Sequence, residues 1–246
     1  MQQQAVYTIA ENAPIARDVY RLRLEGDASW VQRPGQFVNI ALTGRYLRRP
    51  ISVCDWDEKG LVLIYKVVGG GTAQMAGMQA GEKLDLLTGL GNGFDIAPAA
   101  GRRIAVIGGG VGVPPLYGLC KVLRAAGQQV QCVLGFRAKE DVFYEREFVS
   151  LGCEVHVATD DGSAGTRGFV TDVLKTLDVD YYFACGPEPM LRAVHKAGLE
   201  GQLSFEERMG CGFGACMGCS CKTLTGSKRI CVEGPVLLSG EVCFDA

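Results

Sequence analysis

The feature that most constrains this chain is the crowding of six of its eleven cysteines between Cys211 and Cys243. Four of these cysteines follow the order Cys-x4-Cys-x2-Cys, with one more Cys after eleven further residues. They are Cys211, Cys216, Cys219 and Cys231. A segment with this spacing wraps two irons and their bridging sulfides, and the glycines between the cysteines let backbone amides approach the anionic sulfur. The spacing therefore predicts a 2Fe-2S cluster.

Zinc is the main alternative for these cysteines, because four thiolates also bind it tetrahedrally. Zinc ribbons usually carry two C-x2-C pairs, and this segment has only one. Cys221 and Cys243 are alternatives to Cys231 as the fourth ligand, although Cys231 lies at the more suitable distance for the loop to return. An odd total of cysteines argues against a disulfide framework. We interpret the remaining five as small buried thiols; they are Cys54, Cys120, Cys132, Cys153 and Cys185.

Charge and hydropathy exclude several classes of function. A formal net charge of −2 provides no basic field for nucleic acid or for an anionic membrane surface. The first residues have no basic region followed by an apolar core, so we expect no secretion signal. Residues 104–123 are strongly apolar, but Gly108 to Gly110 and Pro114-Pro115 interrupt them, which predicts a strand, a turn and a buried helix instead of a membrane span. We expect a cytoplasmic protein without a membrane or nucleic-acid partner.

The hydrophobic pattern divides the chain into three regions. Short alternating or β-branched runs punctuated by Gly and Pro over residues 1–98 predict an antiparallel β-barrel. Strands that alternate with helices over residues 99–202 predict a doubly wound parallel sheet that binds a nucleotide. The predicted helices of this region cover residues 114–126, 142–151, 170–177 and 190–197. Residues 203–246 are too few and too rich in Gly and Cys to bury a core without help, which predicts a small iron–sulfur module.

Two segments of the predicted barrel have residues suited to a flavin. An arginine, a proline turn and a hydroxyl follow one another in the first, where the arginine offers charge-assisted hydrogen bonds to a pyrophosphate. In the second, a β-branched strand leads into a glycine run whose amides can face phosphate, and a threonine follows that run. The candidate residues are Arg49, Pro50, Ile51, Ser52, Ile64, Tyr65, Lys66, Gly71 and Thr72.

A glycine turn after the first strand of the α/β region suits a dinucleotide. The match to G-x-G-x-x-G is incomplete, because Val113 occupies the third glycine position and no acid ends the second strand. A second tight turn ends the strand at residues 181–184, at the sheet edge where α/β folds bind ligands. The candidate residues for NAD are Gly108, Gly109, Gly110, Gly112, Cys185, Gly186 and Pro187.

The ordered set of these motifs resembles the ferredoxin-reductase-like flavoprotein family. With the cysteine segment added, the chain is similar to the electron-transfer subunits of type B, NAD-dependent dihydroorotate dehydrogenases. The resemblance covers essentially the whole chain and includes the motif at residues 89–94 and the segment at residues 161–170.

That resemblance implies an oxidoreductase subunit of pyrimidine biosynthesis with FAD, a 2Fe-2S cluster and NAD as its cofactors. An FMN-containing catalytic subunit would oxidise dihydroorotate, and electrons would pass through the cluster and FAD to NAD. The implied assembly is a heterotetramer of two subunits of each kind. We find no pyrimidine pocket with a catalytic base in this chain, so no catalytic residue is assigned to it.

Three other functions are compatible with the motifs. Related subunits serve glutamate-synthase-like partners as NADH-dependent ferredoxin:NADP or sulfide reductases, but a carboxylate commonly replaces one cluster cysteine there. A zinc-stabilised, redox-sensing binding module is an alternative of a different class. The chain could also be a self-sufficient reductase. The choice of NADH over NADPH rests on the resemblance, and Arg137 is interpreted as a solvated loop charge.

Overall fold

The structure is a computed structural model that describes residues 2–244. Its N-terminal half contains six strands and a short helix. They are β1 (Gln3–Ala16), β2 (Val19–Glu25), β3 (Phe37–Ile40), β4 (Arg49–Asp57), β5 (Gly60–Lys66), α1 (Gly70–Ala76) and β6 (Lys83–Leu90). The strands close into an antiparallel barrel in the order β1-β2-β5-β4-β3-β6. The predicted antiparallel barrel is therefore confirmed.

Alternating burial explains the barrel strands. In β6 every second residue from Leu84 to Leu90 is buried, and the residues between them are exposed or half-buried. Tyr7 and Ile9 of β1 point into the same core, where Leu22 and Leu24 of β2 meet them. Side chains alternate between the two faces of a strand, so this pattern fills the barrel with apolar groups.

The second half of the chain forms a mixed sheet with helices and a separate hairpin. Its elements are β7 (Ile104–Gly109), α2 (Pro114–Ala125), β8 (Val130–Phe136), α3 (Glu145–Ser150), β9 (Glu154–Thr159), β10 (Thr166–Arg167), α4 (Val170–Leu174), β11 (Tyr181–Cys185), α5 (Glu188–His195), β12 (Glu200–Ser204), β13 (Ser220–Thr223), β14 (Gly226–Arg229) and β15 (Val236–Leu238). The seven-stranded sheet has the order β10-β9-β8-β7-β11-β12-β15, while β13 and β14 form the hairpin. The strand order reverses between β7 and β11, so their carboxyl ends flank a topological switch point, where α/β sheets bind ligands.

All four predicted helices differ from the observed ones at their ends, α2 by only one residue. Helix α3 begins at Glu145, not at residue 142, because Tyr144 adopts a left-handed φ of 65° and Phe143 is buried. Helix α4 ends at Leu174, three residues before the predicted end, and α5 begins at Glu188, two residues before the predicted start. None of the helices within residues 2–244 has the length and hydropathy to cross a membrane.

The barrel and the sheet share one continuous hydrophobic core. Cys54 and Ile64 of the barrel pack with Leu116 and Leu119 of α2 in the same cluster of buried side chains. Helix α2 lies so close to β4 that a Cβ on Gly118 would be 2.9 Å from the Cys54 carbonyl oxygen. This close approach fixes the barrel against the sheet.

Two attachments of the C-terminal region hold the chain after the cysteine segment. Strand β15 pairs antiparallel with β12, so residues of the predicted iron–sulfur module extend the sheet. The loop after β6 provides the second attachment through Asn92. Its side chain donates to the carbonyls of Glu233 at 3.1 Å and Val236 at 2.7 Å, and its Oδ1 accepts from the Val236 amide at 3.1 Å. The motif at residues 89–94 thus fastens the chain that leaves the cysteine segment.

We predict that Asn92→Ala lowers the free energy of unfolding by about 1–3 kcal/mol, because three side-chain hydrogen bonds to backbone are lost. Urea unfolding of the cofactor-loaded protein measures this change. Gln129→Ala, at an exposed position between α2 and β8, is the control and should change stability by less than about 0.5 kcal/mol. Equal stability of the two variants would contradict the role of Asn92.

Candidate cofactor sites

Strands β4 and β5 pair over only part of their length. Their register runs from Asp57–Gly60 at the turn to Val53–Leu63, with a bulge between Val53 and Asp55. Beyond that point the first half of β4 pairs with β3, whereas the end of β5 pairs with β2. The two strands therefore diverge and leave an opening that we name the β4–β5 slot. Backbone groups along its sides need another partner, either water or a ligand.

Seven of the predicted flavin residues lie along the two sides of this slot. Arg49, Pro50, Ile51 and Ser52 form the β4 side, and Ile64, Tyr65 and Lys66 form the β5 side. All four residues on the β4 side are half-buried. The segment was interpreted from sequence as a turn, and the structure corrects this: it is the paired start of a strand, because each of the four residues has a register partner in β3.

The side chains on the β5 side point away from the slot at two of the three positions. Tyr65 is buried in the barrel, stacks on Tyr20 with ring centroids 5.7 Å apart, and donates its hydroxyl to Asn12 Oδ1 at 3.0 Å. Burial raises the pKa of Tyr65 to about 12, so its phenol stays neutral. Ile64 packs in the core between barrel and sheet. These two residues therefore face the slot with their backbone, which matches the hydrogen-bonding edge of a flavin ring.

The glycine run after β5 forms a compact turn against Arg49. A Cβ on Gly71 would lie 2.1 Å from Arg49 Nε, so a larger residue here would force this guanidinium to move. Thr72 Oγ1 accepts from the Val68 amide at 2.9 Å and the Gly69 amide at 3.3 Å, which closes the turn. The turn thus presents Arg49 next to the slot, where a pyrophosphate joined to a flavin would lie.

The predicted nicotinamide residues converge at the switch point between β7 and β11. Gly108 and Cys185 are register partners at the carboxyl ends of these strands. A Cβ on Gly112 would lie 2.3 Å from the Cys185 carbonyl oxygen, and one on Gly186 would lie 2.6 Å from Met190 Cε. Glycine is therefore required for the two turns to touch.

The same edge is completed by Gly109, Gly110 and Pro187. A Cβ on Gly109 would meet Pro187 Cδ at 3.2 Å, and Gly110 begins a single helical turn with a positive φ of 52°. Burial raises the pKa of the Cys185 thiol to about 12, so it carries no charge at neutral pH. The turn at residues 110–112 also contacts β5, which brings the nicotinamide edge to the β4–β5 slot.

The loop between β12 and β13 carries three of the predicted cluster cysteines, and the fourth follows β14. The Cys216 amide lies 3.4 Å from Cys211 Sγ. Burial opposes ionisation of Cys211, but amides from Phe213, Cys216 and Ala215 outweigh it and lower the pKa to about 6. Amides that point at a thiolate are the donors that an iron-bound sulfur needs.

The four sulfurs form two pairs. The strongest interactions are those of Cys211 with Cys216 and of Cys231 with Cys219, while Cys211 also acts more weakly on Cys231. Within residues 2–244, the group of three ligand-type side chains with donor atoms all within 4.8 Å of one another lies in another part of the fold. No three of the four cluster sulfurs are therefore within 4.8 Å of one another. A single tetrahedral zinc needs all four together, whereas a 2Fe-2S cluster takes two on each iron. The arrangement therefore fits the binuclear cluster.

Among the candidates for fourth ligand, Cys231 lies beside Cys219, and its assignment stays a prediction. It is fully buried beside Cys219, and burial together with that neighbour raises the pKa of its thiol to about 12. Cys221 lies on β13 opposite Lys228, where burial and then Glu207 raise the pKa of its thiol. Cys243 is half-buried near the end of the described chain.

Asn39 of β3 links the cysteine loop to the slot, and sequence analysis missed it. Its Nδ2 donates to the Cys211 carbonyl oxygen at 3.2 Å, and it is the register partner of Pro50. A Cβ on Gly212, which has a φ of 77°, would lie 2.3 Å from this amide nitrogen. The sequence did contain a signal for this contact, an asparagine inside an apolar strand, because a buried amide needs hydrogen-bond partners.

A closed six-stranded barrel joined to a nucleotide-type sheet, with a cysteine segment against the barrel, defines an iron–sulfur member of the ferredoxin-reductase-like class. A solved ferredoxin reductase from a carbazole 1,9a-dioxygenase has this fold, with a TM-score of 0.66 and 20% identity over 80% of this chain and 65% of that one. The structure of an NADH-dependent reduced ferredoxin-NADP oxidoreductase is more similar, with a TM-score of 0.87 and 31% identity over 98% of this chain and 91% of that one.

Family comparison is more specific. Residues 206–243 match the iron–sulfur cluster binding domain of dihydroorotate dehydrogenase B, and residues 106–196 match an oxidoreductase NAD-binding domain. The dihydroorotate dehydrogenase B (NAD(+)) electron transfer subunit of Geobacillus sp. (strain WCH70) is 46% identical over 98% of this chain and 99% of its own length. That of Bacillus caldolyticus is 47% identical over 96% of each chain. The chain belongs to the family of dihydroorotate dehydrogenase B electron transfer subunits.

Gly71→Ala should weaken FAD binding at least about tenfold, because the new methyl group displaces Arg49 from the slot. Gly69→Ala is a matched control in the same turn, since a Cβ there meets nothing within 4 Å and its backbone is extended. Fluorescence titration of the flavin-depleted protein measures both affinities. Comparable loss in the two variants would argue against this role for Arg49.

Cys231→Ser should reduce the iron content and the visible cluster absorbance of the purified protein by more than half, because one iron loses a thiolate. Cys221→Ser and Cys243→Ser should keep both signals. Iron analysis and absorption spectra of the three variants test this assignment, which fails if Cys221→Ser or Cys243→Ser is the variant that loses the cluster.

Proposed function

We propose that this chain is the electron-transfer subunit that carries electrons from dihydroorotate oxidation in a partner flavoprotein to NAD. The partner would be an FMN-containing catalytic subunit, in an assembly of two subunits of each kind in the cytoplasm. Family membership at 46% identity over 98% of the chain supports the activity. The curated relatives' names refer to one subunit of an enzyme, which supports the need for a catalytic partner.

The observation that carries the proposal is the convergence of three candidate sites on one edge of the barrel. Asn39 bonds the Cys211 carbonyl and pairs with Pro50 of the slot. The nicotinamide turn at residues 110–112 contacts β5 on the other side of the slot. A flavin held in the slot lies between the cluster and the nicotinamide, as the electron route requires. A bound flavin supplies the exchange between single electrons and hydride.

The protein's own residues serve binding and insulation in this scheme. Arg49 and the turn at residues 69–72 would hold the pyrophosphate, and the slot backbone would orient the ring. Cys211, Cys216, Cys219 and Cys231 would ligate iron. Cys185 and Met190 at the two glycine turns would line the nicotinamide site with an uncharged thiol and an apolar side chain.

The cysteine loop supports electron entry from outside the chain. Phe213 and Met217 lie between the cluster cysteines and are 44% and 64% exposed. Exposed apolar side chains beside a redox centre suit contact with another protein, because they gain free energy when a partner removes water from them. The predicted domains at residues 1–98, 99–202 and 203–246 would then hold FAD, NAD and the cluster respectively.

A subunit of an NADH-dependent ferredoxin:NADP reductase is the second candidate. The solved oxidoreductase of that kind is 31% identical to this chain, against 46% for the dihydroorotate dehydrogenase subunit from Geobacillus. Four cysteines in the cluster segment also favour the dihydroorotate reaction over reductases in which a carboxylate replaces one of them.

Reconstitution of this chain with an FMN-containing dihydroorotate dehydrogenase catalytic subunit tests the proposal. We expect dihydroorotate-dependent reduction of NAD by the pair and by neither subunit alone. Cys231→Ser should abolish this reaction while NADH oxidation by a dye persists, because the dye takes electrons directly from the flavin. If the pair ignores dihydroorotate but reduces ferredoxin or NADP with NADH, the second candidate is correct.

A further inference from the structure

Three cysteines that are distant in sequence lie together beneath the sheet. Cys120 is on α2, Cys132 is on β8, and Cys153 lies just before β9. Their sulfurs all lie within 4.8 Å of one another, and Cys120 Sγ is 3.5 Å from Cys132 Sγ. We name this group the thiol triad. No sequence motif pointed to it, because packing of three separate elements creates it.

The triad is buried but asymmetric. Cys120 and Cys132 are 0% exposed, whereas Cys153 is 7% exposed at the turn that begins with Gly152. The guanidinium of Arg124 lies at that turn, where a Cβ on Gly152 would be 3.0 Å from its Nη2. Thiol donors from Cys120 and Cys132, and then Arg124, lower the pKa of Cys153 against the effect of burial. Cys153 is therefore the member nearest to solvent and the one beside a cation, and both features favour a reactive thiol.

A soft metal ion is the first ligand to consider for three thiolates. Among the described residues, no His, Asp or Glu joins the group to complete a tetrahedral site. Three thiolates around a monovalent ion would leave two negative charges in an apolar core, with Arg124 as the nearby cation. Burying uncompensated charge costs on the order of several kcal/mol. A neutral product of the thiols is therefore favoured over a charged metal complex.

We propose that the thiol triad is an oxidation site, in which Cys153 reacts with hydrogen peroxide and then forms a disulfide with Cys120 or Cys132. The third thiol stays reduced. This site is separate from the cluster cysteines and does not depend on the proposed electron route, because its cysteines lie on α2, on β8 and in the turn before β9.

The chemistry balances with peroxide as the oxidant. The Cys153 thiolate attacks one peroxide oxygen, the O–O bond breaks, and with one proton taken up the products are a sulfenic acid and water. The neighbouring thiol sulfur then attacks the Cys153 sulfur, the S–O bond breaks, and a second water leaves. Two thiols lose two electrons and two protons, and peroxide is reduced to two waters. A dithiol reductant reverses the change by exchange through Cys153.

Peptide mapping of the cofactor-loaded protein tests the proposal. Trypsin releases the three thiols in separate peptides, residues 104–121, 125–137 and 147–167, so a cross-link is assigned directly. After stoichiometric peroxide, rapid alkylation and digestion, we expect a disulfide that joins residues 147–167 to one of the other two peptides. Cys54, a buried thiol outside the triad, is the internal control and should remain alkylatable after unfolding.

Variants separate the roles of the three thiols. Cys153→Ser should slow oxidation of the remaining pair at least about tenfold, because the activated thiolate is lost. Cys120→Ser and Cys132→Ser should each still form a disulfide with Cys153. The proposal is overturned if wild-type Cys54 is oxidised as fast as the triad, or if Cys153→Ser joins Cys120 to Cys132 at the wild-type rate. A stoichiometric extra metal that Cys153→Ser loses would instead assign a metal site.

Discussion

The partial pairing of β4 with β5 determines where every other part of the candidate site lies. A barrel strand normally has a partner on both sides, and each unpaired backbone group must find another. Here the bulge between Val53 and Asp55 turns the first half of β4 toward β3, and the last part of β5 continues beside β2. One edge of an otherwise closed barrel is opened in this way without the loss of its core, which Tyr65 and its neighbours fill from inside.

The remaining elements are arranged around that opening by close contacts at three glycines. Glycine at residues 71, 112 and 212 permits each one, since a Cβ would approach Arg49, Cys185 or Asn39 to within 2.1 to 2.3 Å. The shared core between the barrel and α2 keeps these contacts at fixed distances. Such rigidity suits electron transfer between bound groups, because the protein has to hold positions and has little covalent chemistry to perform.

Local patterns were sufficient to predict much of this organisation. Cysteine spacing, glycine runs after strands and the alternation of strands with helices are all read within short windows, so the barrel, the parallel sheet and the cysteine segment were predicted. The bounds of barrel strands such as β1 and β6 were not predicted, because tertiary pairing decides where each strand begins and ends. The start of α3 was wrong for a related reason: burial of Phe143 and the left-handed Tyr144 override helix propensity.

Contacts between residues that are distant in sequence could not be predicted, and the cysteines show why. The sequences around the eleven cysteines look alike, because most of their neighbours are apolar residues or glycine. The fold gives two groups opposite surroundings. Cys211 lies in a loop whose amides point at its sulfur and lower its pKa to about 6. Cys120 and Cys132 are fully buried, and the pKa of each thiol is raised. Burial is the main cause for Cys120, whereas for Cys132 the hydrogen bond with Cys120 lowers the pKa but the bond with Cys153 and burial outweigh it. The first environment stabilises anionic sulfur for iron, and the second keeps two of its three thiols neutral beside Cys153. Backbone direction around the sulfur, which depends on tertiary packing, decides between the two.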